Sequence, residues 1–122
     1  MSASDVRIPG PDHPITIEAH DGRVVVRAGE RVIASTEGAL ELAEAQYPVV
    51  LYIPFDDVDG TLLKRSDSTS YCPYKGEASY FSVQVDDTVL TDVAWCYETP
   101  YDAVSEIRGR LAFYPDRVSI ES

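Results

Sequence analysis

The residues best suited to chemistry lie close together in the segment Tyr71-Cys72-Pro73-Tyr74-Lys75-Gly76, which combines a thiol, an amine and two phenols. Short loops between strands often carry functional groups, and Pro73 and Gly76 restrict the backbone that presents Lys75. The amine could bind a carboxylate or another anion, or could act as a desolvated nucleophile. The alternative is an exposed lysine on a turn that happens to be aromatic.

A second group of candidate residues surrounds Trp95, the only tryptophan of the chain. Alternation along a strand puts Val93, Trp95 and Tyr97 on one face, where they could either belong to the core or form the wall of a pocket. Glu98 follows at the end of that strand and is the carboxylate best placed to meet Lys75. A purely structural ion pair would be the simpler role for those two side chains.

No pattern of ligands predicts a metal site. If Gly60 took the glycine position of a calcium loop, Phe55 and Ser66 would stand where the first and last ligands belong. The pair Asp57 and Asp59 has the spacing of a two-metal nucleotidyl-transfer site, but no Gly-Ser turn precedes it. Phosphate-loop, dinucleotide, serine-hydrolase and zinc-protease motifs are absent from the sequence. The sequence therefore predicts no metal site and leaves any cofactor and any catalytic residue unknown.

The cysteines also fit no recognised site. Cys72 and Cys96 are 24 residues apart, and they do not combine with His13 and His20 into a zinc-binding spacing. Structural thiols are the expectation, although Cys72 as a catalytic nucleophile stays open as an alternative.

The charge balance excludes several classes of partner. The 122 residues carry a formal net charge of −11, which repels nucleic acid and anionic lipid. The amino terminus has no basic region and no apolar stretch of signal-peptide length, and the longest apolar run covers only residues 49–53. We expect a cytoplasmic protein with no nucleic-acid and no membrane partner.

The elements that must position these residues are mostly strands. Residues 1–13 are predicted to form an irregular lead-in, and residues 14–122 a single β-rich domain. Asp21-Gly22 predicts a hairpin between the first two strands, and Pro115-Asp116 another between the last two. Two short helices are expected, a helix or turn over residues 36–46 and a helix from Thr99, at its N-cap, to about Ile107. In the strand over residues 77–85, alternation separates Phe81, Val83 and Val85 from Ala78, Tyr80, Ser82 and Gln84.

Five segments, in order along the chain, resemble the domain of unknown function 427 family over about residues 14–120. They are Arg31-Val32-Ile33-Ala34-Ser35, Tyr52-Ile53-Pro54-x-x-Asp57-Val58, Cys72-Pro73-x-Lys75-Gly76-x-Ala78-x-Tyr80, Ala94-Trp95-x-Tyr97-x-x-Pro100 and Ala112-Phe113-Tyr114. The resemblance implies a mainly β, β-tent-like fold in which two antiparallel sheets are pinned together at one edge. It implies no established activity, and the nucleotidyltransferase label sometimes given to the family lacks its motif here.

The leading functional hypothesis is a small-molecule-binding domain whose pocket lies between the sheets and favours a small anionic ligand. The hypothesis rests on the density of aromatic and charged residues in two motifs that are distant in sequence. A structural or protein-interaction module is one alternative, and an enzyme with Cys72 as nucleophile is another. The candidate ligand-binding residues are Arg65, Cys72, Lys75, Tyr80, Trp95, Tyr97 and Glu98.

Overall fold

A computed structural model describes residues 6–122, and residues 1–5 of the predicted lead-in lie outside the described residues. Ten strands and two short 3-10 helices follow one another along these residues. The helices are Phe55–Asp57 and Asp102–Ile107. The strands are β1 (Ile15–Ala19), β2 (Val24–Ala28), β3 (Arg31–Thr36), β4 (Leu40–Glu44), β5 (Val50–Pro54), β6 (Leu63–Cys72), β7 (Gly76–Val85), β8 (Thr88–Cys96), β9 (Arg110–Phe113) and β10 (Ser119–Glu121).

The strands form two antiparallel sheets, which confirms the expected mainly β fold. The larger sheet has seven strands in the order β1-β4-β5-β9-β8-β7-β6, and the smaller has three in the order β10-β2-β3. An isolated bridge between Ala34 and Val58 links the smaller sheet to the loop that follows β5. Among residues 6–122, no helix has the length and apolar character needed to cross a membrane.

Apolar side chains pack on both faces of the seven-stranded sheet. We call the first cluster the inter-sheet core, because Val24, Val26 and Ile33 of the smaller sheet meet Val83 and Leu111 of the larger one there. The opposite face carries the outer cluster, whose buried members are Leu42, Tyr52, Ala78, Tyr97, Val104, Ile107 and Ala112. The alternation predicted for β7 is confirmed, since Phe81, Val83 and Val85 pack in or against the inter-sheet core and Ala78 and Tyr80 in or against the outer cluster.

The alternation predicted around Trp95 is only partly right. Trp95 and Tyr97 belong to the outer face, but Val93 lies in the inter-sheet core beside Ala94. The reason is a bulge, because the register of β7 and β8 shifts between Phe81 and Val83. Asp92 has a φ of 51° at this bulge, and its N–H donates to Ser82 Oγ over 3.0 Å. Between the pairs Phe81–Ala94 and Val83–Leu90, β8 has three residues where β7 has one, so Val93 and Ala94 both face the inter-sheet core.

Both predicted hairpins are wrong, because the strands that flank each turn belong to different sheets. Asp21-Gly22 separates β1, which pairs with β4, from β2, which pairs with β3 and β10. Pro115-Asp116 separates β9, which pairs with β5 and β8, from β10, which pairs with β2. The chain does turn at both places, but each turn leads from a strand of one sheet to a strand of the other.

The helix or turn predicted over residues 36–46 is also wrong, since this stretch contains β4. Leu, Glu and Ala favour a helix, yet β4 pairs with β1 on one side and with β5 on the other. The second predicted helix exists only as 3-10 turns over Asp102–Ile107, with non-helical backbone angles at Val104. Its N-cap is Tyr101, without a side-chain hydrogen bond, rather than Thr99.

Gly76 is the position at which the backbone most clearly requires glycine. It opens β7 with a φ of +111°, and a Cβ placed there would meet Thr99 O at 3.5 Å. We predict that Gly76→Ala lowers the free energy of unfolding by about 1–3 kcal/mol, because alanine is strained at positive φ. Urea denaturation of the variant measures this loss.

The matched control is Gly60→Ala, since Gly60 lacks a positive φ and a Cβ there meets nothing within 4 Å. Its free energy of unfolding should stay within about 0.5 kcal/mol of wild type. Equal losses in the two variants would contradict the assignment of strain to Gly76.

Candidate functional site

The predicted aromatic residues meet in a cleft of about 360 Å³ on the outer face of the seven-stranded sheet. This volume lies in the range of small-molecule sites. We call it the aromatic cleft, and it is lined by Leu42, Glu44, Tyr47, Val50, Tyr52, Lys75, Tyr80, Trp95, Tyr97 and Tyr114. None of these residues comes from β2, β3 or β10, so the cleft does not lie between the sheets as expected.

Strand register creates the aromatic wall. Trp95 of β8 stands opposite Tyr80 of β7 on one side and opposite the small, buried Ala112 of β9 on the other. Beyond Ala112 lies β5, which presents Tyr52, and the Trp95 indole N–H donates to Tyr52 Oη over 3.3 Å. The Trp95 and Tyr114 rings have centroids 4.6 Å apart at an angle of 47°. These contacts hold the indole and phenol rings in fixed positions at the cleft.

The polar floor of the cleft is an ion pair between Lys75 Nζ and Glu44 Oε1. Their side chains are only 9% and 14% exposed. The second carboxylate oxygen of Glu44 lies 2.7 Å from His13 Nε2, and the His13 ring stacks on Tyr74 with centroids 3.9 Å apart. The Lys75 ammonium also lies 5.9 Å from the centroid of the Tyr97 ring, within reach of a cation–π contact.

Backbone hydrogen bonds hold Lys75 in place. Its N–H donates to Cys72 O over 3.2 Å, which closes the turn between β6 and β7, and its carbonyl accepts from Tyr101 N over 3.1 Å. The turn between β6 and β7 therefore fixes the position of the lysine, as the sequence predicts. The Lys75 side chain extends into the cleft, and the residue as a whole is 7% exposed.

The surroundings of these groups fix their charges. Burial raises the pKa of Glu44, but the hydrogen bonds and charges of Lys75 and His13 outweigh burial and leave the pKa below its usual 4.5. Burial raises the pKa values of Tyr52 and Tyr97 far above the ordinary value of 10.0. Burial likewise raises the pKa of Tyr114, to about 12. At neutral pH the cleft therefore holds an ionised carboxylate among neutral phenols.

The structure brings together four of the seven candidate residues, since Lys75, Tyr80, Trp95 and Tyr97 all line the cleft. Cys72 is half-buried and packs against the outer cluster without lining the cleft. Arg65 and Glu98 do not line it either. They form a two-bonded ion pair, with both guanidinium nitrogens 2.7 Å from carboxylate oxygens, and Ser79 Oγ joins the pair.

The expected contact between Glu98 and Lys75 is therefore absent, since Glu44 occupies that place. The hydrogen bonds from Arg65 lower the pKa of Glu98. Arg65 supplies no charge to the cleft, which contradicts the sequence-based placement of its guanidinium beside Lys75.

Sequence reasoning missed Glu44, His13, Tyr52 and Tyr114. Glu44 lay in a stretch predicted as helix or turn, and His13 lay in the predicted lead-in. Tyr52 stood in an apolar run that was interpreted only as a strand. The one sequence feature that could have indicated Glu44 is the β-strand alternation of Leu40, Leu42 and Glu44, which strand pairing places on the outer face.

A second cavity, of about 580 Å³, adjoins the aromatic cleft at Tyr47, which lines both. Its other lining residues are Pro11, Asp12, His13, Pro14, Ala45 and Gln46. His13 thus stands between the two spaces, with its Nε2 toward Glu44.

The thiols and acidic residues form no further centre in the described part of the chain. Cys72 and Cys96 are free, and burial raises the pKa of Cys96 to about 11. Asp57 accepts a hydrogen bond from Thr36 Oγ1 over 2.6 Å, and Asp59 accepts from both the N–H and the hydroxyl of Thr61. Within residues 6–122, no three His, Cys, Asp or Glu side chains gather as metal ligands.

A family described as "Domain of unknown function (DUF427)" matches residues 16–122. No curated protein is significantly similar to the chain.

The lowered pKa of Glu44 makes a testable contribution to stability. Because the folded-state pKa lies below 4.5, this contribution is fully present above pH 4.5 and is lost as the pH falls through the folded-state value. We predict that Glu44→Gln unfolds more easily than wild type by about 1–3 kcal/mol at neutral pH, and that this difference shrinks as the solution is acidified. Urea denaturation at a series of pH values measures the difference.

Glu77→Gln is the control, since it removes the same charge from an exposed position on β7. A difference between wild type and Glu44→Gln that stays constant down to acid pH would count against the ion pair.

Proposed function

The chain belongs to the DUF427 family, and from the geometry of the aromatic cleft we propose that the protein binds a small, ring-containing molecule there. The family description names no activity, so the proposal rests on the site itself. The observation that carries it is a nearly buried lysine with unused hydrogen-bond donors at the floor of a cleft walled by aromatic rings.

The aromatic wall suits the body of such a ligand. Tyr80 and Trp95 stand opposite each other on β7 and β8, and the Tyr114 ring packs against Trp95. The three rings border the cleft. Burying a flat ring against them removes apolar area from water on both partners and adds offset or edge contacts.

The polar floor suits an acceptor group on that ligand. An ammonium has three N–H donors, and Glu44 is the one acceptor that Lys75 Nζ has among the described residues. Tyr52 Oη accepts from Trp95, but its own proton has no acceptor in residues 6–122. Buried donors without acceptors are costly, so a ligand that supplies oxygen acceptors is favoured. A carboxylate, as the sequence led us to expect, and a carbonyl both meet this requirement.

The two alternatives make different predictions. An interaction module would use an exposed surface and would not depend on Lys75 or Trp95. An enzyme with Cys72 as nucleophile would need a base in contact with the thiol, and within the described residues Cys72 Sγ makes no such hydrogen bond.

A screen of small ring compounds tests the proposal. We predict that carboxylates and cyclic amides of one or two rings bind the wild-type protein, as detected by ligand-observed NMR at millimolar concentrations. Trp95→Ala should weaken binding at least about tenfold, because the ligand loses its stacking surface. Lys75→Met should weaken it by a similar factor, because the ligand's acceptor loses its charged donor.

Arg65→Met is the matched control, since Arg65 is a cation outside the cleft in an exposed ion pair of small energetic value. It should bind every hit as wild type does. Trp95→Phe keeps the fold testable if Trp95→Ala does not fold, and it should give an intermediate affinity. Hits whose affinity survives both the tryptophan and the lysine substitution, or a screen with no hits at all, would refute the proposed function.

A further inference from the structure

We propose that the ligand of the aromatic cleft presents a carbonyl acceptor and an N–H donor side by side on one edge of a flat ring, as a cyclic amide does. This inference rests on the proposed function and names the ligand class of that same site. It replaces the purely anionic ligand of the sequence-based hypothesis, and it follows from the second member of the ion pair, Glu44.

Within the cleft, Glu44 balances the charge of Lys75, while its other partner, His13, lines the adjoining cavity. The Lys75–Glu44 pair carries one positive and one negative charge, and both side chains line the cleft. The phenols of Tyr52 and Tyr97 stay neutral, because burial raises their pKa values. A ligand carboxylate that reached Lys75 would also approach the Glu44 carboxylate, and like charges in a poorly solvated space repel strongly. A neutral acceptor meets the lysine without this repulsion.

Glu44 also has acceptor capacity to spare. A carboxylate offers about four lone-pair sites, and Lys75 and His13 occupy one on each oxygen. A ligand N–H can therefore donate to Glu44 without displacing either partner. A ligand that brought only acceptors would leave this capacity unused.

Donor and acceptor stand next to each other in the cleft, because Lys75 Nζ and Glu44 Oε1 are hydrogen-bonded. A complementary ligand edge must then carry an acceptor for the ammonium immediately beside a donor for the carboxylate. Carbonyl and N–H are held side by side in this way in lactams, imides and pyrimidine-type rings. The same rings are flat, as the surfaces of Trp95, Tyr80 and Tyr114 require.

Three compounds of similar size test the inference. They are 2-pyridone, which has both groups, 1-methyl-2-pyridone, which keeps the carbonyl and lacks the N–H, and benzoate, which is an anionic acceptor. We expect 2-pyridone to bind most tightly by ligand-observed NMR titration. Methylation should weaken binding at least about tenfold, because it removes the hydrogen bond to Glu44 and adds a methyl group against the carboxylate.

Glu44→Gln gives a crossed result that a merely structural role for Glu44 would not give. The substitution should weaken binding of 2-pyridone, whose donor loses a charged acceptor, and strengthen binding of benzoate, which no longer meets a negative charge. Glu77→Gln, at an exposed position on β7, should leave both affinities unchanged.

The failure of this inference differs from the failure of the proposed function. If benzoate binds more tightly than 2-pyridone and depends on Trp95 and Lys75, the cleft is a ligand site for anions and the cyclic-amide inference is overturned. Equal binding of 2-pyridone and its methylated form overturns it as well. If none of the three compounds binds while other ring compounds bind through Trp95, the inference fails and the proposed function stands.

Discussion

The ion pair between Glu44 and Lys75 is the interaction on which the shape of the seven-stranded sheet and its cleft depends. Glu44 ends β4 and Lys75 directly precedes β7, and three strands separate β4 from β7 in the sheet. In a flat sheet these strands would stand roughly 19 Å apart, too far for the two side chains to touch. The sheet must therefore curve, so that its outer face becomes concave and the aromatic residues of β5, β7 and β8 face a common space. The curvature of the sheet, the cleft and the ion pair therefore depend on one another.

Other contacts support the same closure from the two ends of the pair. His13, which precedes β1, both binds Glu44 and stacks on Tyr74, next to Lys75, so that the segment before β1 connects the two halves of the floor. On the other side, the carbonyl of Lys75 accepts from Tyr101 N, just before the 3-10 turns that bury Val104 and Ile107 in the outer cluster. Breaking one member of a pair this deeply buried leaves the other charge uncompensated, which is costly.

The sequence predicted those features that depend on local pattern. Alternation assigned the two faces of β7, and the residues around the turn of Lys75 and around Trp95 indicated the place of the cleft. Prediction from the sequence failed where pairing between strands distant in sequence determines the structure. The helix-favouring residues of β4 become a strand because β1 and β5 flank it, and Asp21-Gly22 joins two sheets because β1 finds β4 as its partner. The lysine's partner was missed for the same reason, since Glu44 is 31 residues from Lys75 and lies on β4, which forms only by pairing with β1 and β5. The bulge at Asp92, where three residues of β8 stand against one of β7, places Val93 on the opposite face, which strict alternation does not predict.

If a lysine held by Glu44 forms the floor of a ligand site, its ammonium group can be observed directly, because the chain has only two lysines, Lys64 and Lys75. Lys64 is exposed and serves as an internal reference. In a proton–nitrogen NMR spectrum of lysine ammonium groups, we predict a protected Lys75 signal that Glu44→Gln abolishes and that shifts when 2-pyridone is added, while Lys64 exchanges with water throughout. A Lys75 ammonium that exchanges as fast as that of Lys64, or a protected signal that no ring compound moves, would contradict this prediction.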